Sequence, residues 1–299
     1  MSRLPEKKRS DHYVPQFYLN EFSCVDDVTT DPRIWVYDIE NPVPKKIRTN
    51  RIAKIKNFYR LFEDGSIDDS LDKALQYFES EVAPIFRKLR REDISLENIH
   101  SRYKLGRFIS FLLARTPQFR EHINLFFQNN TKAGLIDYLN TNVNVEKELQ
   151  MLNEGRRQRI TKQEFVSSFN KLKINLAPGS FQFVLIESAK RMIVPVCSMK
   201  WLLLRSNEAF PFVTSDAPVV VDNPEATDPS VWYGYEKRTA KVIFPMNRNL
   251  CLLTAWTGRE GYYKVDEDVV FDMNSKIASH AMRYLFSPIQ YPISVVQDA

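Results

Sequence analysis

Residues 71–89 read LDKALQYFESEVAPIFRKL, and the apolar side chains Leu71, Leu75, Phe78, Val82, Ile85 and Leu89 recur at steps of four, three, four, three and four. That is the period of an α-helix with one buried stripe. Asp68 or Asp69 stands where its N-cap is wanted, since a carboxylate there can accept from an orphan backbone N–H. Downstream, residues 96–115 form a second helix. Thr116-Pro117 then gives the cap and first-turn proline of a third, which carries Phe119, Ile123 and Phe126. Residues 140–165 are polar and weakly periodic, a surface excursion with helical pieces, and another helix covers residues 181–193.

Both flanks of this helical middle have a different texture. Arg33-Ile34-Trp35-Val36-Tyr37-Asp38 is rich in β-branched and aromatic residues and runs into Asn41-Pro42 and Pro44, which predicts a strand and a turn. Residues 45–49 return as its hairpin partner, and residues 58–62 add a short strand. Nearer the start, Val14 precedes a proline and is driven to extended backbone. His12 therefore lies on an extended segment, with Pro15 at the first helical position and Gln16 in the first turn of a short helix reaching residue 22. After residue 200, the stretches 201–204, 210–213, 241–244 and 250–253 read as strands, followed by a helix over residues 272–286. Strands at both ends predict an α+β fold, a central helical block packed on a mainly antiparallel sheet built from N- and C-terminal strands. The expected organisation is a single α+β domain over residues 1–299, with a mainly helical subdomain at 66–195.

Composition narrows the function classes. The 299 residues are 43% apolar and 12% aromatic, enough for a large core, and only 8 are glycine. No G-x-G-x-x-G or Walker-type glycine loop occurs, which argues against an ordinary dinucleotide-binding enzyme or nucleotidase. A net charge of +5 is unevenly placed, with basic clusters at Lys7-Lys8-Arg9, Arg87-Lys88-Leu89-Arg90-Arg91 and Arg156-Arg157-Gln158-Arg159. Such clusters either track phosphates or are solvated helix ends. Cys24, Cys197 and Cys251 form no C-x-x-C, which fits a reducing compartment rather than a disulfide framework or zinc knuckle. The first residues carry no apolar leader and no run approaches the ~20 apolar residues of a membrane helix, so the expected location is cytoplasmic.

A few polar residues stand out by position. Leu105, Phe108, Leu112 and Arg115 share one helix face, so Arg115 continues an apolar stripe and a buried charge there needs a partner. It either snorkels out at the helix end or faces a carboxylate or bound anion. Asp216 ends the run Phe212-Val213-Thr214-Ser215-Asp216-Ala217-Pro218, where it suits a general base or metal ligand, or an Asx turn to the following backbone. Glu79, two turns after Asp72, flanks the stripe of its helix at the edge of the core. Among four histidines only His12 sits among other unusual polar residues. His100 and His122 look like surface helix positions and His280 like a packed core-edge residue. No H-E-x-x-H, H-x-H or G-x-S-x-G is present.

The segment His12-Tyr13-Val14-Pro15-Gln16-Phe17-Tyr18-Leu19, with Asn20-Glu21-Phe22, resembles the opening motif of the domain-of-unknown-function family 4238. Trp35-Val36-Tyr37-Asp38 resembles the family's first strand and the Glu79 helix its acidic helix. Arg115-Thr116-Pro117-Gln118-Phe119-Arg120 resembles its R-T-P-x-x-R segment. Thr214-Ser215-Asp216-Ala217-Pro218 resembles its S-D-x-P element, where asparagine is common at the place of Ala217. Phe244-Pro245 and Asn274 resemble late landmarks. The likeness spans residues 12 to about 287 and skips residues 140–165. It implies a prokaryotic protein, with an association to mobile or defence loci, and a shared polar site. That site would take His12, Gln16, Glu79 and Asp216 as catalytic groups and Arg115, Ser215 and Asn274 as substrate-binding groups.

Two functions follow. The first is a hydrolase acting on phosphodiesters or nucleic acid, in which Asp216 and Glu79 hold a divalent metal or activate water, His12 shuttles a proton, Gln16 orients substrate and Arg115 clamps phosphate. The second is a non-catalytic sensor module binding nucleic acid, a ligand or a partner, in which Arg115 pairs with Asp216 and His12 and Gln16 lock the N-terminal segment.

Overall fold

The computed structural model of the chain describes residues 10–24, 31–63, 66–91, 98–141, 144–155, 159–171, 173–225 and 234–290. The basic triplet Lys7-Lys8-Arg9 and residues 156–158 of the third basic cluster lie outside them. From the N-terminus the elements are β1 (Ser10–His12), α1 (Gln16–Leu19), β2 (Arg33–Asp38), β3 (Asn41–Arg48), β4 (Lys54–Lys56), β5 (Leu61–Glu63) and β6 (Ser66–Asp68). The helical middle holds α2 (Ser70–Arg90), α3 (Ile99–Ala114), α4 (Pro117–Thr141), α5 (Asn144–Asn153), α6 (Lys162–Asn170) and α7 (Pro178–Ser198). The remainder comprises β7 (Lys200–Arg205), β8 (Thr214–Ser215), β9 (Val220–Asp222), β10 (Lys241–Asn247), β11 (Leu250–Ala255), β12 (Gly261–Lys264), α8 (Glu267–Ser279) and β13 (Tyr284–Ser287).

The fold is α+β, and one sheet recruits strands from both ends of the chain. Its order is β3-β2-β13-β8. All its pairings are antiparallel, and Leu285 of β13 lies between Tyr37 of β2 and Ser215 of β8. A second sheet, β12-β7-β11-β10-β9, comes wholly from the C-terminal part. It is antiparallel except where β12 runs parallel to β7.

Contacts divide the chain into two compact units, Met1–Phe119 with Pro178–Ala299, and Arg120–Ala177. In the first unit, α1 is tied down by its aromatics. Tyr18 stacks on Phe244 of β10 at 5.3 Å between ring centroids, and Phe17 meets Phe86 of α2 and Phe108 of α3, each at 5.6 Å. The buried Tyr18 hydroxyl donates to the Pro245 carbonyl and also bonds Thr214 Oγ1, each at 2.7 Å. One short motif thus joins two helices and two strands. Helices α3 and α7 pack closely because Gly106 presents no Cβ, and any Cβ there would run into Cys197 Sγ. The second unit has its own small core of Leu139, Val145 and Leu149, against which Phe165 and Val166 pack. A reciprocal capping box opens α6, with Thr161 N–H donating to Glu164 Oε2 at 2.9 Å and Glu164 N–H to Thr161 Oγ1 at 3.2 Å.

Local expectations differ from the structure where distant groups take over. Phe58 and Tyr59 lie in a turn after Asn57, whose φ is 52°, and the strand starts at Leu61. Residues 210–213 are not a strand, because their N–H groups find other acceptors: Asn207 Oδ1 for Phe210, the Arg248 carbonyl for Phe212 and Asn274 Oδ1 for Val213. The last helix is shifted toward the N-terminus. Asp266 caps it by accepting from Val269 N–H at 3.1 Å, it ends at Ser279, and residues 284–287 become β13. Pro15 is the N-cap of α1 rather than its first helical residue.

Candidate functional site

β1 pairs with β4, aligning Asp11 with Ile55 and His12 with Lys54. Two non-glycine residues at positive φ, Ala53 at 51° and Asn57 at 52°, bracket β4. L-residues occupy that region sparingly, so the backbone opposite His12 is held under strain.

Behind this ladder lies Arg115, 2% exposed at the C-cap of α3. A cation suits the C-terminal end of a helix. Its Nε donates to the Tyr13 carbonyl at 3.0 Å and its Nη1 to Glu79 Oε1 at 2.7 Å. The partner of Arg115 is thus Glu79, and the expected pairing with Asp216 is corrected. Glu79 is half-buried on α2, so the ion pair reaches from the core toward solvent. The Tyr59 hydroxyl donates to the Arg115 carbonyl at 3.1 Å.

His12 is within the field of that guanidinium. Burial, then the charges of Lys54 and Arg115, pull its pKa down to about 4, against a backbone hydrogen bond at Thr49 that favours the charged form. The imidazole is therefore neutral near pH 7. A backbone group that favours the cation is a carbonyl accepting from the ring. His12 Nε2 is buried with no hydrogen-bond partner among the described residues.

Further polar groups gather around the same ladder. Asp11 is buried, and burial followed by the Asp72 charge pushes its pKa up. Arg60 Nε comes only to 4.0 Å from Asp11 Oδ1. Both Asp11 oxygens, Asn57 Oδ1, Arg60 Nε and Arg115 Nη2 are buried without a hydrogen-bond partner among the described residues. Such atoms are uncommon in folded proteins, and their concentration on adjoining segments marks a polar site. Gln16 opens α1, half-buried, and its side chain makes no hydrogen bond among the described residues.

The other predicted residues bond to different segments. Asp216, 4% exposed, directs Oδ1 to Met282 N–H at 2.9 Å and Oδ2 to Arg283 and Tyr284 N–H at 2.9 and 3.1 Å. It ties down the turn between α8 and β13, a segment far along the chain, instead of forming an Asx turn. Burial, opposed by these three donors, pushes its pKa up to about 6. Ser215 Oγ accepts from Ala217 N–H at 3.1 Å, and Asn274 clamps the Pro211 carbonyl and Val213 N–H at 3.1 and 3.0 Å. These three side chains brace the strands around β8. Tyr13 connects the two groups: its carbonyl serves Arg115, and its buried hydroxyl is pushed well up by burial and then by the Asp216 charge.

The structure therefore joins Arg115 to Glu79 with His12 in the field of the guanidinium, while Asp216, Ser215 and Asn274 bond to the backbone around β8 and β13. Asp11, Asn57, Tyr59 and Arg60 were missed by sequence reading. Asp11 had one signal, a charge beside His12 in an otherwise apolar motif; the other three had none, because only the fold brings them there. Among the described residues no group of three or more His, Cys, Asp or Glu side chains is arranged to hold a metal ion. No described helix is long and apolar enough to cross a membrane. No curated protein and no solved structure matches the chain. The expected kinship does hold: the chain belongs to the family described as protein of unknown function, DUF4238, whose pattern it matches over residues 10–289.

Proposed function

We propose that the chain hydrolyses a phosphodiester at the His12–Arg115 pole, with a nucleotide or nucleic acid as the substrate class. The observation that carries this reading is a buried ring nitrogen, His12 Nε2, within the field of a buried guanidinium N–H group, Arg115 Nη2, neither with a hydrogen-bond partner among the described residues. An attacking water gives its proton to Nε2 as its oxygen bonds to phosphorus. The ester P–O bond breaks, and the proton passes to the leaving oxygen. Arg115 Nη2 donates to a non-bridging oxygen where charge builds up, and Glu79 holds the guanidinium in place. Gln16 orients the substrate.

A histidine held at about pKa 4 by burial, and then by the charges of Lys54 and Arg115, is a weak base. An anionic substrate offsets those charges and raises the imidazole pKa toward the neutral pH range, where a general base works best. The acid limb of kcat/KM, which reports the free protein, should therefore lie at lower pH than that of kcat.

A second reading is a non-catalytic sensor module that binds the same anions. It is favoured by Glu79 and Asp216 both being held in structural bonds. Purified protein, with and without Mg²⁺ or Mn²⁺, is assayed against RNA, DNA and cyclic nucleotides. Turnover that falls on the order of a hundredfold or more in His12→Gln, with unchanged melting, supports hydrolysis. Binding without turnover supports the sensor, and neither binding nor turnover overturns both.

A further inference from the structure

His12 Nε2 and Arg115 Nη2 are shut in, with no water-sized space beside either atom. A substrate reaches them only if a covering segment moves. The backbone facing His12 is the short run Ala53–Asn57, which carries β4. Its flanks are firmly anchored. On one side Thr49 donates its N–H to the Pro32 carbonyl at 3.0 Å and its hydroxyl to Asn20 Oδ1 at 2.7 Å. On the other, Phe58 packs on Phe181, the Tyr59 hydroxyl holds the Arg115 carbonyl, and Gln182 Nε2 donates to the Tyr59 carbonyl at 2.9 Å.

The run between these anchors is weakly held. It keeps three residue pairs with β1, and Tyr13 N–H donates to the Ala53 carbonyl at 3.0 Å. Of its residues only Ala53 is buried, so little apolar area holds it down. Both end residues have positive φ, and Asn57 Oδ1 is buried with no hydrogen-bond partner among the described residues. Strained ends, an unsatisfied polar atom and little apolar burial are the marks of a segment that opens locally. Lys54, the cross-strand partner of His12, is half-buried on this run, and its ammonium makes no hydrogen bond or ion pair among the described residues. Of the carboxylates gathered here, Glu79 is bonded to Arg115, and Asp11 faces Asp72, Arg60 and the Phe58 and Tyr59 N–H groups. Lys54 and Arg115 Nη2 are left to meet an incoming anion.

We infer that Ala53–Asn57 is a strap that opens to admit the substrate anion to the His12–Arg115 pole and closes on it, with Lys54 as a second cation on the phosphate. Its ligand rests on the phosphodiester reading; its opening does not, since amide hydrogen exchange detects that with no ligand present. Exchange is followed on the full chain alone, with the dinucleoside phosphodiester thymidylyl-thymidine, and with uncharged thymidine. In the free chain the Tyr13 and β4 amides should exchange by local opening, at rates unmoved by low urea, while those of β10 and β11 wait for global unfolding. The phosphodiester should slow the strap amides and thymidine should not. Lys54→Met should weaken phosphodiester binding, read by calorimetry, about tenfold, the scale of one charged hydrogen bond, and remove most of the slowing. Slowing without turnover upholds the strap and favours the sensor over the hydrolase. Strap amides that exchange only with global unfolding overturn the inference, whatever the turnover. Phosphodiester binding that fails to slow them, or that does not depend on Lys54, overturns it as well. Failure of the phosphodiester to bind at all overturns it together with the proposed substrate class.

Discussion

Replacing Asp216 by asparagine tests whether burial or hydrogen bonding governs that carboxyl. Three backbone N–H groups favour its ionised form, yet burial outweighs them and carries the pKa from 3.8 to about 6. Between those values the folded protein holds a proton that the unfolded chain has released. Stability from this group is thus fully present below the unfolded pKa of 3.8 and is lost as the pH rises through about 6. At about 1.4 kcal/mol per pH unit of separation, the full loss is about 3 kcal/mol. Between about pH 4.5 and 7.5 the linkage relation gives about 2 kcal/mol of it. His12 acts in the opposite sense. Its depressed pKa of about 4 gives stability that is present above 6.5 and lost as the pH falls through about 4, so the two groups mask each other in the wild-type curve. Asp216→Asn isolates the term. The amide cannot titrate, keeps one oxygen for Met282 N–H and turns its NH₂ toward Arg283 and Tyr284 N–H. The resulting penalty does not depend on pH. Urea denaturation of both proteins at the two pH values should show the wild type gaining about 2 kcal/mol over the variant on acidification, with all other titrations cancelling. A wild-type minus variant difference that stays constant with pH refutes the dominance of burial at this site.

Three other outcomes follow from the packing. Glu79→Leu should destabilise by about 3 kcal/mol because it leaves the 2%-exposed guanidinium of Arg115 unpaired, whereas adding Arg115→Met should recover part of that loss; additive effects in urea denaturation would count against the pair. Tyr18→Phe removes the hydroxyl that serves Pro245 and Thr214 and should cost about 1–3 kcal/mol in the same measurement. Gly106→Ala gains helix propensity but drives its Cβ into Cys197, so thermal melting should fall in the single variant and recover when Cys197→Ala is added.

What was legible in the sequence is what neighbours in sequence determine. The stripe from Leu71 to Leu89 predicts α2 because its partners lie one turn away, and Thr116-Pro117 marks the start of α4 for the same reason. The recruitment of both termini into one sheet was readable as texture, though the order β3-β2-β13-β8 was not. Tyr284 to Phe286 read as the tail of a helix because their strand partners lie some 70 and 250 residues away. Arg115 is identifiable as a buried charge, but its partner is not: the expected pairing with Asp216 gives way to Glu79, brought there by the packing of α2 on α3. Asp216 was placed at a rigid strand end, where local reading offered a base or a turn. Its actual acceptor role, toward Met282, Arg283 and Tyr284, depends on a contact across 66 to 68 residues.

Arg115 explains why the N-terminal motif contains both anchors and polar groups. Phe17, Tyr18 and Phe22 hold α1 against α2, α3 and β10 mainly through ring contacts, to which the Tyr18 hydroxyl adds its bonds to Pro245 and Thr214. The bond from Arg115 Nε to the Tyr13 carbonyl is directional and selects one alignment of β1 across 102 residues of chain. A neutral donor could do that as well. A guanidinium does more, because its charge requires Glu79 on one side and depresses His12 on the other. The same side chain therefore sets the strand and adds to the burial and the Lys54 charge that keep the imidazole unprotonated. Any anion that reaches Arg115 must alter both, so ligand capture, the protonation of His12 and the seating of β1 are coupled through one buried cation.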